Sequence, residues 1–114
     1  MKTIIAFIRP AKEEAVREAL HNQPGVTGAT FADIRGFGRG RKHDHSKGAM
    51  DEAVLGTLPH VRVEVMVADE DAAVIGKAIA EAARTGNRGD GKVYALPVES
   101  ALRISTGETG QKAV

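Results

Sequence analysis

Nine residues, 84–92, hold three glycines (Gly86, Gly89, Gly91), Asp90, Lys92 and two arginines, Arg84 and Arg88. Glycine permits left-handed backbone and lets another molecule approach its amide hydrogen closely. A run of such amides beside a lysine can cradle phosphate. The order Gly86, four residues, Gly91-Lys92 matches the opening of a P-loop, but Val93 follows where magnesium needs Ser or Thr. A P-loop also joins a strand to a helix, whereas this stretch joins a helical pattern to a strand-like run. A glycine helix stop with a tight turn accounts for the same residues, and both readings stand at this level.

A second group is His43-Asp44-His45, with Asp51, Glu52 and His60 further on. Imidazole and carboxylate suit zinc, copper or nickel. A solvated polar loop is the simpler account of them, since structural zinc sites use fuller ligand sets. A basic cluster, Arg35, Arg39, Arg41, Lys42 and Lys47, is diluted by Asp44, Asp51 and Glu52, and the net charge is only +1. With 4% aromatic residues and no tryptophan, a base-stacking platform is not expected, and no nucleic-acid partner is read. There is no cysteine for thiolate chemistry. No nucleophile has an evident base and orienter, so the chain is not read as an enzyme.

The elements that must carry these residues follow from periodicity. A chain of 114 residues, 42% hydrophobic and 27% charged, makes a single globular domain, 1–114. Residues 3–8 read as a buried strand closed by Arg9-Pro10. Ala15, Val16, Ala19 and Leu20 recur at helical spacing among charges, which predicts an amphipathic helix over 10–21 with proline in its first turn. Residues 26–35 read as a second strand. Regularity then fails over about 37–58, a long exposed loop of the kind that carries function. Val61, Val63, Val65 and Val67 alternate with Arg62, Glu64, Met66 and Ala68, the clearest strand in the chain. Asp69-Glu70-Asp71 reads as a cap for a second helix over 71–85, stopped by Gly86. Residues 93–96 make a short strand ended by Pro97. Residues 98–104 read as a helical turn leading into an extended piece, and 106–111 as a polar, mobile tail. Strand-helix-strand twice over gives an α+β, ferredoxin-like βαβ-βαβ sandwich. Its helix-free sheet face needs a cover, which a symmetric oligomer supplies. The opening apolar run is too short for a signal peptide or a membrane span, so a soluble cytoplasmic protein is expected.

Three motifs now coincide: Gly36-Phe37-Gly38-Arg39, the stretch from Ala83-Arg84-Thr85-Gly86 to Gly89-Asp90-Gly91-Lys92, and Arg103-Ile104-Ser105-Thr106-Gly107-Glu108. In this order and at these distances the chain resembles the PII family of nitrogen-regulatory signal proteins over nearly its whole length. The resemblance implies a compact homotrimer with ATP or ADP in three clefts between subunits, and magnesium as a companion. It implies a protruding loop that docks on a partner such as a membrane transporter or a metabolic enzyme. Gly89, Asp90, Gly91 and Lys92 match the phosphate cradle. Gly36, Phe37, Gly38 and Arg39 match the loop base that closes over nucleotide, and Arg103 matches a phosphate-binding arginine. Gly28, Ala29 and Thr30 match a segment that reaches adenine from the neighbouring subunit, and Met66 matches an apolar residue near the base.

There are departures. Gly40 stands where the family usually has a glutamine of the magnesium and 2-oxoglutarate site, and His60 where it has a lysine that pairs with 2-oxoglutarate. Ser105 replaces a second arginine. Ala49-Met50-Asp51-Glu52 replaces the segment whose tyrosine some members have uridylylated. A divergent PII-like protein that keeps nucleotide and loses 2-oxoglutarate is expected. Since some divergent branches are linked to metal efflux, a metal-responsive module using His43 and His45 is the alternative.

Overall fold

The computed structural model describes residues 1–38 and 57–114. Strand β1 (Lys2–Ile8) is followed by a 3-10 turn (Pro10–Lys12), helix α1 (Glu13–His21) and strand β2 (Thr30–Gly36). After the outgoing segment come strand β3 (Leu58–Val67), a 3-10 turn (Asp69–Asp71), helix α2 (Ala72–Ala83), strand β4 (Lys92–Pro97) and a last 3-10 turn (Gly110–Ala113). The four strands form one antiparallel sheet in the order β2-β3-β1-β4. Both helices lie on one face, which is the expected α+β, ferredoxin-like sandwich.

Alternation builds the core. Ile4, Ala6 and Ile8 of β1 and Val61, Val63, Val65 and Val67 of β3 are buried on the helix side. Val16 and Leu20 of α1, and Ile75 and Ile79 of α2, project onto them at helical spacing. Each of these valine, leucine and isoleucine side chains contributes roughly 1.5–3 kcal/mol on burial. The register Ile4↔Val65 and Ala6↔Val63 keeps all of these residues on one face. A one-residue slip would turn every one of them to the other side.

The opposite face carries Phe7, Arg62, Met66, Tyr94 and Leu96 and is only partly covered. Met66, Tyr94 and Leu96 remain 42%, 46% and 42% exposed. Phe7 meets Tyr94 edge-on with ring centroids 6.1 Å apart, and the Arg62 guanidinium sits 5.9 Å over the Phe7 ring. Arg62 also pairs with Glu64 at 2.7 Å.

Several local expectations shift. Helix α1 starts at Glu13 because Pro10 sits in a separate 3-10 turn. Strand β2 starts at Thr30 rather than 26; Val26 packs against the core from the preceding loop. Strand β3 opens earlier, at Leu58, on a β2–β3 ribbon that outruns β1. Asp69-Glu70-Asp71 supplies no side-chain cap. Asp69 instead takes the amino group of Met1 at 2.8 Å, which holds its carboxyl below the usual value. Helix α2 ends at Ala83, before Gly86, because Arg84 is already extended. Residues 98–104 are not helical; Leu102 bridges to Thr109, and the tail closes as a hairpin.

Candidate functional site

The connection from α2 to β4 is folded around one carboxylate. Asp90 Oδ2 accepts the amides of Thr85 and Gly86, each at 2.8 Å. Its Oδ1 accepts the Thr85 hydroxyl and Arg9 Nε at 3.0 Å. The Thr85 hydroxyl in turn accepts the amide of Asn87 at 3.1 Å, and Arg9 Nη2 donates to the Arg88 carbonyl at 2.6 Å. This is a local side-chain alternative to helix, which is why α2 does not run on. The Thr85 hydroxyl, then the Thr85 amide, and then Arg9 and the Gly86 amide hold the Asp90 carboxyl well below the usual carboxylate range.

Gly86, Gly89 and Gly91 all take left-handed φ, at 89°, 95° and 100°. At Gly91 the demand is absolute, because a Cβ there would run into the Phe7 carbonyl oxygen. The loop therefore lies directly on the end of β1. A cavity of 340 Å³ opens beside it, bounded by Phe7, Ala80, Arg84, Asp90, Gly91 and Lys92. Lys92 is exposed and opens β4 opposite Phe7. Backbone curled around a fixed carboxylate, with a lysine at its rim, can receive an anion. These Asp90 contacts all go to the chain's own donors, so the carboxylate holds the backbone of residues 84–90 in shape.

The other expected residues stand elsewhere. Gly28 and Ala29 are exposed ahead of β2, and Thr30 opens β2 opposite Glu64. Gly36 closes β2 opposite Leu58, followed by Phe37, 69% exposed, and Gly38. Met66 lies on the helix-free face. Arg103 sits on the hairpin of residues 102–109, its guanidinium 3.5 Å from Glu108 Oε1 and 3.3 Å from the Lys112 carbonyl. Arg39, Gly40, His43 and His45 fall outside the described residues. Among the described residues no cluster of three His, Asp or Glu is arranged for a metal. His60, half-buried, has Nδ1 3.3 Å from the Leu58 carbonyl.

Within one chain Gly28 to Thr30 and Lys92 stand apart. Gly28 to Thr30 flank the β2 edge, and Lys92 opens the β4 edge. Those edges are three inter-strand steps apart, about 14 Å. Two residues central to the loop had no signal in local spacing. Arg9 reads from sequence only as the end of a strand, and its partner Asp90 is 81 positions away. Thr85 stands within the glycine motif, but nothing there marks its hydroxyl as a ligand of Asp90.

The family model described as Nitrogen regulatory protein P-II matches residues 1–108. Proteins of that name from Rhizobium meliloti (strain 1021) and Azospirillum brasilense are 46% and 44% identical over 115 residues, covering 100% of both chains in each case. Among solved structures, that of Arabidopsis thaliana PII bound to citrate is similar, with a TM-score of 0.79 and 33% identity, over 99% of this chain and 91% of that one. No helix among the described residues is long and apolar enough to cross a membrane. With the sandwich and the glycine loop both in place, the chain belongs to the P-II family of nitrogen regulatory proteins, which are signalling regulators and not enzymes.

Proposed function

We propose that this protein binds ATP or ADP in clefts between the subunits of a homotrimer and passes the bound state to a partner through residues 37–58. The partner is a membrane transporter or a metabolic enzyme met in the cytoplasm. The single observation that carries the reading is the loop of residues 84–92, in which Asp90 holds a glycine backbone in shape and leaves Lys92 at the rim. The separation of Gly28 to Thr30 from Lys92 on opposite sheet edges supports a cleft built from two copies, as does the half-covered face with Met66, Tyr94 and Leu96. The Arabidopsis relative is bound to citrate, a multiply charged anion, which supports an anion-binding role. Magnesium accompanies the nucleotide phosphates.

In this reading Arg39, Arg103 and Lys92 pair with phosphate, Gly36, Phe37 and Gly38 close over it, and Gly28, Ala29, Thr30 and Met66 meet the base. Response to 2-oxoglutarate is weak or absent. Gly40 has no side-chain carbonyl for magnesium, and His60 replaces an ammonium group.

Calorimetric titration of ATP and ADP tests the site. Binding should weaken about tenfold in Lys92→Ala, the effect of one lost charge-assisted contact. Unchanged binding removes the cradle assignment. Light scattering should give about three times 12.0 kDa, and a mass of one chain rules out the shared cleft. Micromolar binding of 2-oxoglutarate to the ATP- and magnesium-loaded protein would show that other groups have rebuilt that site.

A further inference from the structure

Arg9 follows the last residue of β1 and reaches the loop at two points. Its Nε donates to Asp90 Oδ1 at 3.0 Å, and its Nη2 donates to the Arg88 carbonyl at 2.6 Å. Between those points lies Gly89, where a Cβ would come within 3.3 Å of Nη2. The backbone is thus folded closely over the guanidinium. Through Asp90 the same arginine is joined to the amides of Thr85 and Gly86, so both arms of the loop meet on one side chain. An isolated surface ion pair contributes little. This one is different in kind: Asp90 is 21% exposed and Arg9 35% exposed, and the second bond goes to a backbone carbonyl. A lysine offers a single point charge in place of this planar fork.

We propose that Arg9 is a positioning residue that latches residues 84–92 into the conformation in which Lys92 and the Gly89 to Gly91 backbone receive an anionic ligand. Only the identity of that ligand rests on the nucleotide reading above. Gly91 on the Phe7 carbonyl gives the loop its seat, and Arg9, two residues further along, closes it.

The test uses the full chain as wild type, Arg9→Met and Arg9→Lys, with amide hydrogen exchange, ATP titration and thermal unfolding on each. Arg9→Met should speed exchange of the Thr85 and Gly86 amides about tenfold, with core amides of β1 and β3 unchanged. ATP binding should weaken about tenfold, and Arg9→Lys should recover part of both effects. In an Asp90→Asn background, Arg9→Met should add less than it does in wild type, since one of the two points of the latch is already weakened. Wild-type exchange at Thr85 and Gly86 in Arg9→Met overturns the latch. A loosened loop with undiminished ATP affinity overturns the positioning role. If wild type binds neither ATP nor ADP, the nucleotide reading fails, while the exchange result still decides the latch. Full recovery in Arg9→Lys shows that charge alone suffices and overturns the two-point geometry.

Discussion

Two turns of this chain each set an acid beside cations, and the acids act differently. In residues 84–92, Asp90 collects two backbone amides, a hydroxyl and a guanidinium from its own chain, and Lys92 stays exposed. In the hairpin of residues 102–109, Glu108 accepts the Thr106 hydroxyl at 3.0 Å and lies 3.5 Å from Arg103, the very cation expected to meet phosphate. The first acid shapes the backbone and leaves the cation alone. The second holds the cation loosely in solvent. A short run of glycines, acids and bases therefore does not say which members touch a ligand and which hold the others in place.

The glycines give the largest contrast. Gly91→Ala should destabilise the fold by about 3 kcal/mol or more, because left-handed strain adds to a collision with the Phe7 carbonyl. Gly107, at φ 76°, has nothing within 4 Å of its would-be Cβ, so Gly107→Ala should cost only the backbone strain, roughly 1–2 kcal/mol. Urea unfolding of the two variants checks this, and equal losses would erase the distinction between a seated loop and a free one.

Acid sharpens the contrast further. Asp90 has a folded pKa depressed below its ordinary 3.8, so the native state takes up the proton less readily than the unfolded chain. Its stabilisation is fully present above the unfolded value and is lost as pH falls through the depressed one. Asp90→Asn should lower stability at pH 7, because the amide sets a donor against donors on one of its two sides. The gap from wild type should close only below about pH 4. A gap that closes between pH 5 and 7 would mean that another group carries the effect. The smallest effect is expected at the hairpin. Glu108→Gln should change stability by about 0.5 kcal/mol or less, since both partners are nearly half exposed. A loss as large as that of Asp90→Asn would make Glu108 an organiser too.

The part of the fold legible in the sequence is the part written in short periods. The valines of β3 alternate without a break, and α2 buries Ile75 and Ile79 four apart. The rest is set by specific contacts, some near and some far along the chain. Asp69 resembles a helix cap locally but is claimed by the amino group of Met1, 68 positions away. Gly86 resembles a helix stop, yet α2 has already ended because Asp90 draws the Thr85 and Gly86 amides to itself. The tail looks unstructured by composition, but the bridge from Leu102 to Thr109 and the Arg103 amide bonded to the Glu108 carbonyl at 2.8 Å close it into a hairpin. The glycines of residues 84–92 are visible as a motif. The arginine that braces them is not, because no local spacing links Arg9 to Asp90.

The pairing of Gly36 with Leu58 decides how freely the sequence between them can vary. The chain leaves and re-enters the sheet side by side, so residues 37–57 form a circuit whose closure is already secured by the β2–β3 ladder. Once the ends are pinned, lengthening a flexible circuit is cheap; doubling it costs about 0.6 kcal/mol. Insertions and deletions there should leave β3 paired in register with β1 and β2. Sequence change there should put little of the scaffold's stability at risk, whereas a single methyl group at Gly91 should cost about 3 kcal/mol or more.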